Sequence, residues 1–173
     1  MVLKKCTLKD LEQLIEITQT TYREHYQYLW KDKGEYYIQT NYNAAALREE
    51  IVDKNLALYF ITDANQIYGF LKLQIHAPLA NYSAENGLEL ARIYLLKKGM
   101  NKGLGKAVMK AVESIALAHD KQVIWLKTMD SSKAAQFYQQ CGYEICGHTR
   151  LDVAGIYREL QGQLVMKKDI KND

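Results

Sequence analysis

The 173-residue chain has little of what several protein classes require: one proline, three cysteines and no long apolar run. Cys6, Cys141 and Cys146 are odd in number and lack zinc-type spacing, which indicates ordinary reduced residues and no metal site. No stretch approaches the roughly 20 apolar residues that cross a bilayer, and the first residues lack the apolar core of a signal peptide. These absences predict a cytoplasmic protein with no membrane attachment.

The net charge and the sequence complexity argue against further classes of protein. The formal net charge is only +3, and basic residues are interspersed with acidic ones, so no basic stripe indicates nucleic-acid binding. No repeat, low-complexity segment or flexible linker divides the chain, and we expect residues 1–173 to form one domain. Whether two copies form a homodimer through a sheet edge or the C-terminal strand stays open. Thirteen tyrosines are present, of which we expect most to pack and one or two to line a pocket.

Apolar patterning predicts a mixed α/β order with most strands adjacent in sequence. Strands are predicted at 2–6, 56–62, 66–75, 88–96, 121–128, 143–147 and 157–168. Helices are predicted after Thr7, over 44–52, from 104 to about 119, and from Asp130 or Ser131 to about 140. The segment from 24 to 43 has no clean period and is expected to be irregular or helical.

A glycine-containing loop, Gly99 to Gly105, separates the predicted strand at 88–96 from the next helix. A helix begins with unpaired N–H groups and partial positive charge, which suits a phosphate, and glycines let the backbone approach it. Four lysines surround the loop: Lys97, Lys98, Lys102 and Lys106. Taken alone, the loop fits both an anion site and an ordinary turn with solvated lysines.

Two nucleotide-binding motifs do not match this loop. A P-loop requires a second glycine, lysine and a hydroxyl residue at fixed spacing, but Leu104 stands at the glycine position and Ala107 follows Lys106. The dinucleotide fingerprint requires a third glycine after the close pair, and none follows Gly105 there. The loop therefore belongs to neither class.

A second stretch, Ser131 to Glu144, reads as a short amphipathic helix that ends at Gly142. By itself it predicts that Tyr138 is a packed core residue. Together the two stretches resemble the GNAT superfamily of acyl-coenzyme A dependent N-acyltransferases. The positions that carry the resemblance are Met100, Gly103 and Gly105 in the loop and Ser131, Ala134, Phe137, Tyr138, Gly142 and Tyr143 in the helix. Two positions depart from the family pattern. The family prefers Gln or Arg where this chain has Met100, and Asn where it has Ser131.

The resemblance implies a mixed, mostly antiparallel, twisted sheet flanked by helices, with two strands splayed around an acyl-CoA site. It implies acetyl-CoA as co-substrate, no metal, and a pantetheine arm that pairs with the strand at 93–95. The residues implied to bind the coenzyme are Ile93, Tyr94, Leu95, Met100, Asn101, Lys102, Gly103, Leu104, Gly105, Lys106, Ser131 and Lys133.

On this basis we hypothesise direct transfer, in which a neutral amine attacks the thioester without a covalent enzyme intermediate. Tyr138 would donate a hydrogen bond to the departing sulfur, and Glu89, which precedes the implied pantetheine-binding part of the strand, would act as the general base. A surface or salt-bridged role for Glu89 stays open. His25, His76, His119 and His148 are isolated and are expected to be packing or surface residues.

The acceptor is expected to be a small-molecule primary amine. The segments 22–42 and 78–87 would build its pocket, and their carboxylates, Glu24, Asp32, Glu35 and Glu85, lie among aromatics that would suit a cation. The chain resembles bacterial polyamine acetyltransferases in the first helix and the strand at 89–94. Amino acids, aminoglycoside-like amines and protein N-termini stay open, as does a non-catalytic acyl-CoA-binding role.

Overall fold

The computed structural model describes residues 2–64 and 66–170. Its strands are β1 (Val2–Lys5), β2 (Leu56–Asp63), β3 (Gln66–Gln74), β4 (Gly87–Leu95), β5 (Val123–Met129), β6 (Glu144–Arg150) and β7 (Gly162–Asp169). Its α-helices are α1 (Leu11–Tyr26), α2 (Glu35–Asn41), α3 (Ala44–Val52), α4 (Leu104–Ala118) and α5 (Ala134–Gln140). Within these described ranges, no helix is both long enough and apolar enough to cross a membrane.

The strands form one sheet in the order β1-β2-β3-β4-β5-β7-β6. Every neighbouring pair is antiparallel except β4 and β5, which run parallel. The parallel pairing is short: it joins Gly87 through Glu89 to Val123 through Trp125 and goes no further. The mixed, mostly antiparallel sheet with splayed central strands is therefore confirmed.

Helices cover both faces of this sheet. Successive strand residues point to opposite faces, so Phe60 and Phe70 pack with α1 and α3, while Ile61 and Leu71 pack with α4 and α5. On α4, the inward positions predicted from the helical period, among them Val108 and Val112, are fully buried. Burial of two separate apolar clusters holds the splayed strands between two helical layers.

Three predicted boundaries are wrong. The short helix does not begin at Asp130 or Ser131 but at Ala134, because the chain first turns at 130–133 and the Ser132 hydroxyl accepts the Ala134 N–H at 3.1 Å. The last strand begins at Gly162, since Arg158–Leu160 forms a 3-10 turn. A similar 3-10 turn, Leu8–Asp10, stands between Thr7 and α1.

Candidate active site

The cleft between β4 and β5 is the candidate site. Because the two strands stop pairing after Glu89 and Trp125, their C-terminal halves diverge and leave a cavity of about 250 Å³. Glu89, Arg92, Tyr94 and Tyr138 are among its lining residues. A larger hollow of about 770 Å³ lies between α1 and the ends of β2 and β3, but neither Glu89 nor Tyr138 lines it. Chemistry therefore favours the smaller cleft.

The backbone of β4 turns alternate peptide groups toward this cleft. The Leu96 N–H donates to the Tyr68 carbonyl of β3 at 2.7 Å, so residues of the same parity, such as Tyr94, also direct their backbone groups to β3. Ile93 and Leu95 have the opposite parity and direct theirs toward the side from which β5 has departed. The gap thus presents main-chain groups that an extended ligand could pair with.

The N-terminus of α4 opens beside the end of β4. Gly103 precedes the helix with φ of +75°, and a side chain there would meet no other atom within 4 Å. The first helical N–H groups, those of Leu104, Gly105 and Lys106, have no partner within the helix. This open N-terminus can receive an anion.

Gly105 connects the two sequence motifs. A Cβ atom on Gly105 would lie 3.1 Å from Cζ of Phe137, so the glycine lets α4 approach α5 closely. This contact brings the glycine loop next to the helix that carries Tyr138. The structure therefore joins the two stretches that the sequence presents separately.

The charged and polar side chains of the loop are largely exposed. Lys98 and Lys102 lie over the Tyr68 ring, with Nζ atoms 5.8 Å and 4.8 Å from its centroid, and so stay beside the loop. Lys106 and Asn101 are exposed, and Met100 is 47% exposed. The lysines add positive charge around the α4 N-terminus, whereas Met100 contributes no polar group.

Tyr138 lies on α5 and is buried against the cleft. Its ring packs beside Phe137 and Tyr143, with centroids 5.4 Å and 6.0 Å away. Burial raises the pKa of the Tyr138 hydroxyl well above its usual value. The hydroxyl therefore stays protonated at neutral pH and is available as a hydrogen-bond donor.

Glu89 lies where β4 and β5 part. Its side chain is only 17% exposed, and the Lys127 Nζ is 3.9 Å from its carboxylate. Burial raises the pKa of Glu89, while the positive charges of Lys127, Lys72 and Arg92 act in the opposite direction. A carboxylate with a raised pKa is a stronger base than an ordinary one, which suits proton removal in the cleft.

Arg92 is a cleft residue that sequence reasoning missed. Its Nη1 lies 3.3 Å from Glu50 and its Nη2 lies 3.4 Å from the Tyr37 hydroxyl. Lys72 bonds the same Glu50 oxygen, so one carboxylate of α3 is shared by two cations and offsets only part of the Arg92 charge. A second charged residue in the β4 strand, beside Glu89, was the available signal, since such a residue is buried only with a partner.

Tyrosines form much of the cleft wall: Tyr22, Tyr26, Tyr37, Tyr94 and Tyr138. The rings of Tyr22 and Tyr37 stack at 4.8 Å, and those of Tyr26 and Tyr94 lie 4.9 Å apart. The expectation of one or two pocket tyrosines is therefore too low. The aromatic wall comes from α1, α2 and β4 and meets Tyr138 of α5 in one cavity.

The structure places none of the four carboxylates expected for the acceptor in this cleft. Glu24 accepts the backbone N–H of Lys97, and Asp32 accepts those of Gly34 and Tyr36. The other two pair elsewhere: Glu35 with Arg23, and the exposed Glu85 with His76. None of residues 78–87 lines the cleft, whereas Tyr22, Tyr26, Leu29 and Tyr37 of the segment 22–42 do.

Ser131 and Lys133 lie in the turn between β5 and α5. Both are exposed, and the Ser131 hydroxyl is 3.3 Å from that of Tyr28, which follows α1. Lys133 occupies the position just before α5. Neither lines the cleft itself, although Ala134, which follows Lys133, does.

Comparison with known proteins agrees with this architecture. Residues 11–143 match the model of the acetyltransferase (GNAT) family. An uncharacterized N-acetyltransferase of Lactobacillus delbrueckii subsp. lactis is 29% identical over 139 residues, 78% of this chain and 79% of that protein. Spermidine N(1)-acetyltransferase of Thermoplasma acidophilum is 30% identical over 119 residues, 65% of this chain and 68% of that protein. The crystal structure of PaiA N-acetyltransferase from the same organism, in complex with coenzyme A, superposes with a TM-score of 0.76 at 22% identity, covering 97% of this chain and 98% of that one.

Proposed function

The chain belongs to the GNAT family and is an acetyl-CoA-dependent N-acetyltransferase, and we propose that it acetylates a small primary amine in the β4–β5 cleft. The observation that carries this proposal is the early end of β4–β5 pairing at Glu89. It opens one cavity onto which a half-buried carboxylate, a protonated tyrosine and main-chain groups of β4 all face. Direct attack of the amine needs those three kinds of group together.

The residues present fit acetyl-CoA. Backbone groups of Ile93 and Leu95 would pair with the pantetheine arm, and Tyr94 between them faces the cleft with its side chain. Residues 100–106 would hold the pyrophosphate through backbone amides and nearby lysines, with the space at Gly103 left open. Ser131 and Lys133 would contact the coenzyme from the rim. When bound, the coenzyme supplies an activated acetyl thioester.

Glu89 is proposed as the general base. An amine must lose a proton to become a nucleophile and a second one after attack, and Glu89 lies in the cleft with a raised pKa. The positive charge of Lys127, 3.9 Å away, favours the ionised carboxylate and so acts against the rise in the Glu89 pKa caused by burial. Glu89 would accept the proton directly or through one water.

Tyr138 is proposed as the hydrogen-bond donor to the departing sulfur. A phenol has a reference pKa of about 10 and a thiol about 8.5, so complete proton transfer from tyrosine is unfavourable. Burial raises the Tyr138 pKa further, which makes donation without transfer its favoured action. A main-chain N–H of β4 would polarise the thioester carbonyl.

A polyamine is the acceptor that we propose to test first. Aromatic faces attract ammonium groups, and among the described residues Glu89 is the one carboxylate that lines the cleft with them. Glu50, bonded to both Arg92 and Lys72, offsets part of their positive charge, and the negative charge in the cleft itself comes from Glu89. The similarity to a spermidine acetyltransferase supports the same class.

Acetyl-CoA consumption measured against spermidine, spermine, amino acids and short peptides tests this proposal. We expect transfer to spermidine or spermine with a kcat/KM at least about tenfold above that for amino acids. A preference for amino acids or peptides contradicts the polyamine assignment. Binding of acetyl-CoA without transfer to any amine favours a non-catalytic role instead.

A further inference from the structure

The last turn of α1 reaches the junction between β4 and the glycine loop through two adjacent side chains. The His25 Nε2 lies 2.7 Å from the Leu95 carbonyl oxygen, and the Glu24 carboxylate accepts the Lys97 N–H at 2.7 Å. Both side chains are half-buried. Neither lines the β4–β5 cleft, and catalysis as proposed above does not use them.

These two contacts hold a segment that bridges two parts of the proposed coenzyme site. Leu95 ends β4, and Lys97 begins the 3-10 turn that leads to the glycine loop. Between them, Leu96 is fixed to β3 through its N–H bond to Tyr68 at 2.7 Å. Two consecutive peptide groups are therefore held: the Leu95–Leu96 group by His25 of α1 and by β3, and the Leu96–Lys97 group by Glu24 of α1.

The His25 contact also affects which main-chain groups the C-terminal end of β4 offers to a ligand. The N–H and the carbonyl of Leu95 both point toward the gap, the first as a donor and the second as an acceptor. His25 donates to that carbonyl, while the Leu95 N–H faces the gap as a donor. A donor at this place suits the carbonyl oxygens of a pantetheine arm.

We infer that Glu24 and His25 are positioning residues that hold the end of β4 and the start of the glycine loop in the arrangement that binds the coenzyme. The inference rests on the coenzyme site proposed above. The same helix carries Tyr22 and Tyr26 of the cleft wall, so α1 ties the acceptor wall to the coenzyme loop.

Matched variants distinguish the loss of a hydrogen bond from the loss of side-chain volume. His25→Phe keeps an aromatic ring without a donor, whereas His25→Gln keeps an N–H donor. Glu24→Ala removes the acceptor, whereas Glu24→Gln keeps one. The readouts are the Kd for coenzyme A by calorimetry, the KM for acetyl-CoA, kcat with the best acceptor found, and the unfolding midpoint.

His25→Phe and Glu24→Ala are expected to raise the Kd for coenzyme A and the KM for acetyl-CoA about five- to tenfold, the equivalent of one hydrogen bond. Their kcat at saturation should stay within about twofold, since Tyr138 and Glu89 are untouched. The two glutamine variants should bind coenzyme A within about twofold of the unmodified protein. If the two residues had a purely structural role, the variants would lower the unfolding midpoint without raising the Kd and KM selectively over kcat.

Unchanged coenzyme A affinity in both His25→Phe and Glu24→Ala overturns the inference, as does equal weakening in the glutamine variants. If His25→Phe does not fold, the comparison of Glu24→Ala with Glu24→Gln decides. An unmodified protein that does not bind coenzyme A overturns the coenzyme site and the inference together. Normal coenzyme A binding without acetyl transfer counts only against the proposed acceptor chemistry.

Discussion

The two sides of the cleft are built by different means. The proposed coenzyme side, β4 residues 93–95 with loop residues 100–106, offers mostly backbone groups from one continuous stretch. The proposed acceptor side, the tyrosine wall with Glu89 and Arg92, offers side chains from α1, α2 and β4. A site formed by backbone groups depends on the conformation of the chain and tolerates many different side chains. A site formed by side chains depends on which residue stands at each position. Substitutions should therefore act very differently on the two sides.

The largest effect is expected at Glu89. Glu89→Gln keeps the shape but removes the proposed base, and we expect kcat to fall about 10²- to 10⁴-fold with little change in the KM for acetyl-CoA. Because the Glu89 pKa is raised by burial, kcat/KM should rise with pH through a value above the ordinary 4.5, as the carboxylate ionises. Steady-state kinetics from pH 4 to 9, at roughly half-unit steps, measures both the fall in kcat and the pH dependence of kcat/KM. In the glutamine variant, the rise of kcat/KM on the acidic side should disappear.

Glu89→Asp serves as the control, because it keeps the charge at a shorter reach and should retain more activity than the glutamine variant. Equal activity in Glu89→Gln and the unmodified protein would remove Glu89 from the mechanism and return it to a salt-bridge role with Lys127.

Tyr138→Phe is expected to lower kcat about 10²-fold, near the lower end of the range for acid assistance, because the tyrosine donates a hydrogen bond without full proton transfer. Coenzyme A affinity should stay nearly unchanged, since the ring and its packing are kept. Calorimetry and turnover with saturating acetyl-CoA measure the two quantities. Tyr143→Phe, on the neighbouring ring, is the matched control and should leave turnover intact. Unchanged turnover in Tyr138→Phe would exclude this role.

The smallest effect is expected on the coenzyme side, at Met100. This side chain is 47% exposed and stands where the family prefers Gln or Arg. Met100→Gln adds one polar contact at most, so the Kd for coenzyme A should change by less than about threefold. Calorimetry measures it. A change of about tenfold or more would show that side chains at this loop matter as much as those across the cleft, and the contrast between the two sides would fail.

Prediction from sequence succeeded where a local pattern decides the structure. The hairpin of β2 and β3 and the helices α3 and α4 follow from apolar periodicity and turn residues in one stretch of chain. It failed at the start of α5, where several polar residues could each cap the helix and the end of β5 decided which one did. It also misplaced the acidic residues of the first half, since their partners Arg23, His76 and the Lys97 amide are set by packing between elements.

The sequence by itself determined the family, the strand–loop–helix around Gly103 and the motif that carries Tyr138, because each lies within one short segment with its own spacing. Only the tertiary structure decided that β4 and β5 part at Glu89, that five tyrosines gather there, and that Arg92 and Lys72 share the carboxylate of Glu50. These features depend on how two helical layers pack against a sheet with one parallel pair. Contacts between residues far apart in the chain produce no periodic pattern in the sequence from which they could be predicted.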